Sequence, residues 1–514
     1  MPRSPASLPL FPASSGKREK PGRPELPRPA ASRRRQLWLC LDFYRLPLEV
    51  FAIDDGRTPL GVVEGEKGGL RISQCNEAAA REGLHPGLPL NAALALSPSL
   101  AVRERNPERE ANALERLAAW ACQFTDLVSL EPPHRLLLEI RGSLRLFGGL
   151  ASLCRQVHGD VEAMGYTLSL AVAPTPRAAA WLCSARQDAM VTDPALLSGR
   201  LAELPLACTG WTADIVERLN AMGVLTVGDC LRLPREGFAR RLGYARLKDL
   251  DTALGRRIES RRRFSVSPVY HGELELLAET LDRERLCRAM ERLLEELQGL
   301  LRSLQKGVQR PVFGFVHEDG VQELALGLAE PTADADFLTD LLAERLEHCR
   351  LEKPVTDLRL DSGPLADLPG TPLGLLLDGK SAGRDAEAGR RLVDRLRARL
   401  GREAVSGLCL LAEHRPEAAW RLVEPGTISL EEGDSGRPFW ILEKPRELAC
   451  RDGRPWLEGP LEIEGGCERI ETGWWDGLDV ARDYYVARDP GGARVWLYRE
   501  RRPPARWFLH GIFG

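Results

Sequence analysis

The sequence predicts a multidomain α+β protein, and three observations carry that reading. At 514 residues the chain exceeds what one hydrophobic core can organise. Apolar strand-like segments alternate with amphipathic helical patterns as far as residue 362. Beyond residue 390 the pattern changes to short alternating segments dense in Trp, so a β-rich C-terminal region is expected.

Composition narrows the class. Hydrophobic residues make up 43% and charged residues 28%, ordinary proportions for a globular protein. No apolar run approaches the roughly 20 residues that cross a bilayer, and the N-terminus lacks the order of a signal peptide. The 12 cysteines are scattered without a Cys-x-x-Cys pair, which argues against a zinc module or disulfide framework and for a reduced, cytoplasmic setting. No His is paired at ligand spacing with a Cys or second His, so no metal or cofactor is expected. Net charge is only −3, so any nucleic-acid binding must come from local basic patches.

In chain order, residues 1–36 are rich in Pro, Arg and Ser and read as a disordered basic tail. Residues 37–205 read as an α/β domain opened by the buried strand LWLCLDFY, with further strands in RLLLEI and YTLSLAVAP. Residues 206–262 hold short helices between Gly turns, a small all-α module ending in the basic stretch RRIESRRR. Residues 263–362 run strand, long helix, strand, strand, helix, strand, a βαββαβ order. Residues 363–390 read as a Gly- and Pro-rich linker that runs into the helix AGRRLVDRLRARLG, and 391–514 as the β-rich C-terminal region, where ARVWLYRE suggests a strand with one buried face.

Two stretches carry a resemblance. Leu39-Cys40-Leu41-Asp42-Phe43-Tyr44-Arg45-Leu46-Pro47-Leu48-Glu49 lies without a gap over a motif of the form Ile-Asp-x-Asp-x-Phe-x-Ala-x-Val-Glu. Phe124-Thr125-Asp126 opens a second motif that Leu138-Glu139 and Gly142-Ser143-Leu144-Arg145-Leu146-Phe147-Gly148 close. Over residues 37–362 the chain resembles the Y-family DNA polymerases, which copy damaged templates. The resemblance implies a right hand: palm and fingers over 37–205, a helical thumb over 206–262, and a little finger over 263–362.

The departures are as informative as the matches. Family members hold two Mg²⁺ ions with three carboxylates, because a hard divalent ion takes charged oxygen ligands. In this register those positions carry Cys40, His134 and Arg135. A thiol and an imidazole are poor Mg²⁺ ligands and a guanidinium repels any cation, so loss of catalysis is expected. Asp42 offers a rival: residues two apart on a strand share a face, so it can reach the old site from beside Cys40, either as a ligand or in an ion pair with Arg135. In the segment that would hold the triphosphate, Glu77 and Ala80 replace a Tyr and an Arg, with Arg81 one residue away. Two phosphate-binding lysines are absent from the stretch Ala171 to Ala180.

This combination resembles the ImuB-type subgroup of the SOS mutasome, whose members act as noncatalytic hubs. The resemblance implies DNA, the sliding clamp, a RecA-like partner of the ImuA type and an error-prone replicative-type polymerase as partners. In the C-terminal region, stretches such as His414-Arg415-Pro416, Gly473-Trp474-Trp475-Asp476-Gly477 and Trp507-Phe508-Leu509-His510-Gly511 fit the subgroup. Their Trp residues either fill a small β core or anchor a partner.

For DNA, Met222-Gly223-Val224 with Gly228 resembles a helix-hairpin-helix turn, whose backbone N–H groups hold a phosphate. Arg240, Arg241, Arg246 and Lys248, then Arg256, Arg257, Arg261, Arg262 and Arg263, supply sequence-independent cations. Two segments suit an extended clamp-binding peptide: Pro372-Leu373-Gly374-Leu375-Leu376 in the linker, preferred by position, and Ser7-Leu8-Pro9-Leu10-Phe11 in the tail. The rival to a hub is a working translesion polymerase with displaced metal ligands.

Overall fold

The computed structural model describes residues 36–52, 58–65, 69–186, 188–368, 379–425, 427 and 436–513. The basic tail, Ser7–Phe11 and Pro372–Leu376 lie outside these residues.

The first domain is built on a five-stranded sheet ordered Val128–Glu131, Arg135–Glu139, Trp38–Asp42, Ser169–Ala173, Ala189–Met190. All five residues of Trp38–Asp42 are buried, as a strand covered on both faces requires. Leu39 and Leu41 enter a core with Leu114 and Leu117 of helix Pro107–Ala121 and Leu153 and Val157 of helix Leu150–Ala163. Trp38 and Cys40 face the opposite way, into a core beneath helix Pro176–Ser184. Asn106 and Thr175 start two of these helices by accepting from the N–H of Arg109 and Ala178, each followed by Pro at the first helical position.

A three-stranded sheet, with Leu60–Glu64 between Arg71–Cys75 and Ala101–Glu104, forms the fingers-like part. The thumb-like part is the expected helical module, Ala213–Ala221, Val227–Arg232, Arg235–Leu242 and Tyr244–Ala253. It packs on helix Pro176–Ser184 through Trp211, Leu219, Phe238 and Leu250.

The little-finger-like part has the expected order: His271–Thr280, Arg283–Leu304, Val312–His317, Gly320–Ala325, Ala335–Glu347 and Val355–Asp361. Its sheet has an unexpected fifth member. Phe51–Ala52, from the first domain, runs parallel to Glu275 and Leu276 at the sheet edge. A two-residue strand is too short to leave a period in the sequence.

The stretch read as a linker is partly helical. Helix Gly379–Leu400 starts inside it and docks on Ala335–Glu347, with Arg391 donating to Asp334 at 2.9 Å, Arg395 to Asp340 at 2.8 Å, and Ala398 in the core.

The C-terminal region is β-rich, as expected. Its six-stranded antiparallel sheet is ordered Arg454–Trp456, Trp440–Arg451, Trp507–Ile512, Arg494–Glu500, Val480–Arg488, Glu462–Thr472. Strand Arg494–Glu500 buries both faces rather than one: Val495 and Leu497 join one core, Trp496 and Tyr498 another. Its alternation is masked because Trp and Tyr count as half-polar in sequence but are packed here.

His510 lies buried in the second core, its ring 5.9 Å from that of Trp496 and its Nδ1 2.8 Å from Tyr484 Oη. Burial pushes its pKa down to about 4. The unfolded value is about 6.5, so the unfolded chain binds the proton more readily. His510 therefore favours folding above pH ~6.5, and that preference, up to about 3 kcal/mol, is lost as pH falls toward 4. A His510→Phe variant should show a flatter fall in thermal midpoint between pH 6.5 and 4 than the natural chain, read by calorimetry.

Among the described residues no helix is long and apolar enough to cross a membrane.

Candidate functional site

The centre of the palm-like sheet is occupied by one carboxylate and two nitrogen bases. Asp42 ends the central strand and sits opposite Arg135 in the cross-strand register. The Phe43 N–H donates to His134 O at 2.9 Å, which draws the His134 loop against the strand end. His134 Nδ1 lies 2.6 Å from Asp42 Oδ1, and Arg135 Nε donates to Asp42 Oδ2 at 2.9 Å. Asp42 is 2% exposed, so both of its oxygens are committed inside the protein. Burial opposes the charge of Arg135, but Asp42 outweighs it and holds the guanidinium pKa above its ordinary value. The rival placement of Asp42 thus resolves as an ion pair.

Cys40 lies near enough for the charge of Arg135 to act on its thiol, but it makes no hydrogen bond with His134 or Arg135. It lies opposite Leu137 and Ala171, fully buried under helix Pro176–Ser184, where the Cys183 thiol donates to Cys40 O at 3.6 Å. Burial, then the neighbouring Cys183, pushes its thiol well above the usual range. Strand alternation puts Cys40 and Asp42 on one face, but only the strand end reaches the loop.

Two Mg²⁺ ions do not fit this donor set. The single carboxylate already faces a guanidinium, and a cation placed on it would have to displace that group. Among the described residues no three His, Cys, Asp or Glu side chains are placed to hold a metal ion.

The segment expected to meet a triphosphate is likewise answered from within. Glu77 lies 3.9 Å from Arg45 and 3.6 Å from Arg81, so the charge of Arg81 faces its own helix. Ala180 is packed in the core. Arg186, which nothing in the sequence singled out, sits 4.4 Å over the Tyr44 ring.

The thumb-like hairpin forms as expected, with Gly223 at φ +76° in the left-handed turn. Its backbone donors, however, are not free for a phosphate. Gly223 N–H donates to Asn220 O and Val224 N–H to Leu219 O. The N–H groups of Leu225 and Thr226 both donate to Asp229 Oδ2, at 3.0 and 2.9 Å. Those bonds hold the Asp229 carboxyl down at about 2, so these two N–H groups already face a fixed anion. Gly228 serves packing instead: a Cβ there would meet Ala202 O at 2.8 Å.

The arginines divide into two groups. Arg261 is 12% exposed and is held by Glu131 and Glu259, so it ties the chain leaving the thumb to the palm rather than facing DNA. Arg256 pairs with Asp251 at 3.6 Å, Arg263 with Asp126 at 3.6 Å, and Arg246 with Asp249 at 3.4 Å. Arg240, Arg241, Arg257, Arg262 and Lys248 are exposed and have no acidic partner among the described residues.

The second face of the little-finger-like sheet, away from its own core, is mixed in charge. It carries Glu273, Glu275, Asp357 and Asp361, with Arg359 paired to Glu273 and His271 to Asp361. Glu275 and Asp357 of that face are answered by Arg103 and Arg109 of the first domain, at 3.0–3.1 Å.

The Trp residues of the C-terminal region divide between core and surface. Trp496 and Trp507 are core. Trp474 and Trp475, 81% and 58% exposed, stand on a hairpin turn braced by the buried Arg415, which donates to both carboxylate oxygens of Asp476 and to Leu478 O.

Residues 52–184 match the model of the impB/mucB/samB family. Over 468 residues the chain is 27% identical to Protein ImuB of Caulobacter vibrioides strain NA1000 / CB15N, covering 84% of this chain and 100% of that protein; Protein ImuB of the ATCC 19089 strain matches equally. Among solved structures, the insertion ternary complex of Dbh DNA polymerase is 17% identical, covering 65% of this chain and 99% of its own, with a TM-score of 0.37. DinB from Sulfolobus solfataricus is also 17% identical, covering 65% and 100%, with a TM-score of 0.37.

Proposed function

We propose that this chain, a homologue of Protein ImuB with an impB/mucB/samB-family domain in a Y-family-like fold, is a noncatalytic hub of error-prone translesion synthesis. The observation that carries the reading is the Arg135–Asp42–His134 cluster. In two-metal phosphoryl transfer, the cations bridge the attacking and leaving oxygens, and carboxylates hold them in place. Here the protein supplies its own fixed cation at that place, and Asp42 neutralises it. Arg135 cannot release a proton or exchange ligands during a reaction, so it can balance charge but not activate a primer hydroxyl.

DNA binding rests on Arg240, Arg241, Arg257 and Arg262, which offer sequence-independent contacts to the phosphate backbone. Partner recruitment falls to other parts of the chain. The sliding clamp is taken by Pro372–Leu376 or Ser7–Phe11, and the RecA-like ImuA-type protein and error-prone polymerase by the C-terminal region, where Trp474 and Trp475 offer rigid aromatic anchors. The protein would act in the cytoplasm, in damage-induced mutagenesis.

Primer extension tests the reading against a working polymerase with displaced ligands. No incorporation above the protein-free level is expected with Mg²⁺ or Mn²⁺. Robust incorporation that disappears in Asp42→Ala would overturn it.

A further inference from the structure

We infer that the little-finger-like domain is latched to the palm and fingers as one body, by a buried polar network centred on Glu296. Glu296 lies on helix Arg283–Leu304 and is 1% exposed. Its carboxylate accepts from three donors. Arg116 Nε, on helix Pro107–Ala121 of the palm, donates to Oε2 at 2.6 Å. Tyr166 Oη, also from the palm, donates to Oε1 at 2.9 Å, and Tyr270 Oη, at the start of the little-finger-like domain, to Oε2 at 2.9 Å.

A buried carboxylate is tolerated only where its partners are in place, so separating the two domains would strand Glu296 and Arg116 together. The network thus specifies one docked arrangement.

Further bonds cross the same boundary. Arg292, one turn before Glu296, donates to the carbonyls of Met164, Phe51 and Glu49 at 2.8, 3.2 and 2.7 Å. Arg103 of the fingers-like sheet donates to Glu275 at 3.1 Å and to Leu277 O at 2.6 Å. Arg109 reaches Asp357 at 3.1 Å. Phe51–Ala52 supplies the fifth strand of the little-finger-like sheet, so undocking would also break a hydrogen-bonded ladder. Gly299 lets the helices close: a Cβ there would collide with the Trp120 ring. The latch holds whether or not the palm is catalytic.

Hydrogen exchange on the full-length chain tests the latch. In the natural protein, amides of Pro107–Ala121 and of 292–300 should exchange in the same slow window as the interior strand Val312–His317. Fast exchange of the boundary amides beside a protected Val312–His317 strand would overturn the proposal without any variant. Glu296→Gln and Gly299→Ala should each speed boundary exchange at least tenfold while that strand stays protected.

A double-mutant cycle covers the case in which single variants fail to fold. Glu296→Leu and Arg116→Met each strand a buried charge, and together they remove both. Boundary exchange at least tenfold slower in the double variant than in the slower-exchanging single variant is expected. Additive effects would show that Glu296 and Arg116 do not act as a unit and would overturn the latch.

Discussion

Replacing Arg240, Arg241, Arg257 and Arg262 together with alanine is expected to weaken binding to primed DNA by about a hundredfold at low salt. These four side chains are exposed and lack acidic partners among the described residues, so each is free to displace a counterion from a phosphate. The salt dependence is the sharper readout, because it reports how many phosphates are neutralised rather than an energy. The slope of log K against log salt should shrink by about 0.9 for every duplex phosphate that is no longer neutralised. Arg261→Ala is the internal control. Its guanidinium is committed to Glu131 and Glu259, so that variant should lose stability and keep the natural salt slope. The assignment fails if Arg261→Ala lowers the slope and the quadruple variant does not. Binding to primed DNA that is absent in the natural chain even at low salt would remove the DNA role altogether.

That division of the arginines shows where sequence reading stops. A run of Arg residues announces a basic segment, but which guanidinium is consumed depends on acids far along the chain. Glu131 reaches Arg261 across 130 positions, and no spacing rule connects them. The helical hairpin was legible from Gly223, because a left-handed turn between helices needs glycine. The capture of its Leu225 and Thr226 donors by Asp229 was not, although Thr226 and Asp229 stand at the spacing of a capping box in which the acid reaches back to take the donors. The βαββαβ order was readable because its helices and strands are long enough to show their periods. The two-residue strand Phe51–Ala52 and the latch around Glu296 were not, since each joins segments more than a hundred positions apart. At the palm, the substitutions were visible in the sequence, and the pairing of Asp42 with Arg135 stood there as one of two alternatives. The sealing of Cys40 beneath helix Pro176–Ser184 required the fold.

Asp42→Ala should destabilise the first domain by about 3 kcal/mol, read as a shift of the first transition in denaturant unfolding. Removing this carboxylate leaves Arg135 largely buried, with its Nε unanswered and the His134 ring without its 2.6 Å partner. Breaking a buried pair from one side costs about 3–5 kcal/mol, and the partial exposure of Arg135 places this case at the lower end. The opposite sign is expected when the charge is removed from both sides. Asp42→Leu combined with Arg135→Leu should recover most of the loss, because apolar groups of similar volume replace a desolvated ion pair at little net cost. A metal-binding Asp42 predicts another pattern. A carboxylate held ready for a cation repels its neighbours when no ion is bound, so its removal would leave stability unchanged or raise it, and would abolish incorporation. The two roles for Asp42 are thus separated by the sign of a folding free energy, independently of whether any assay detects DNA synthesis.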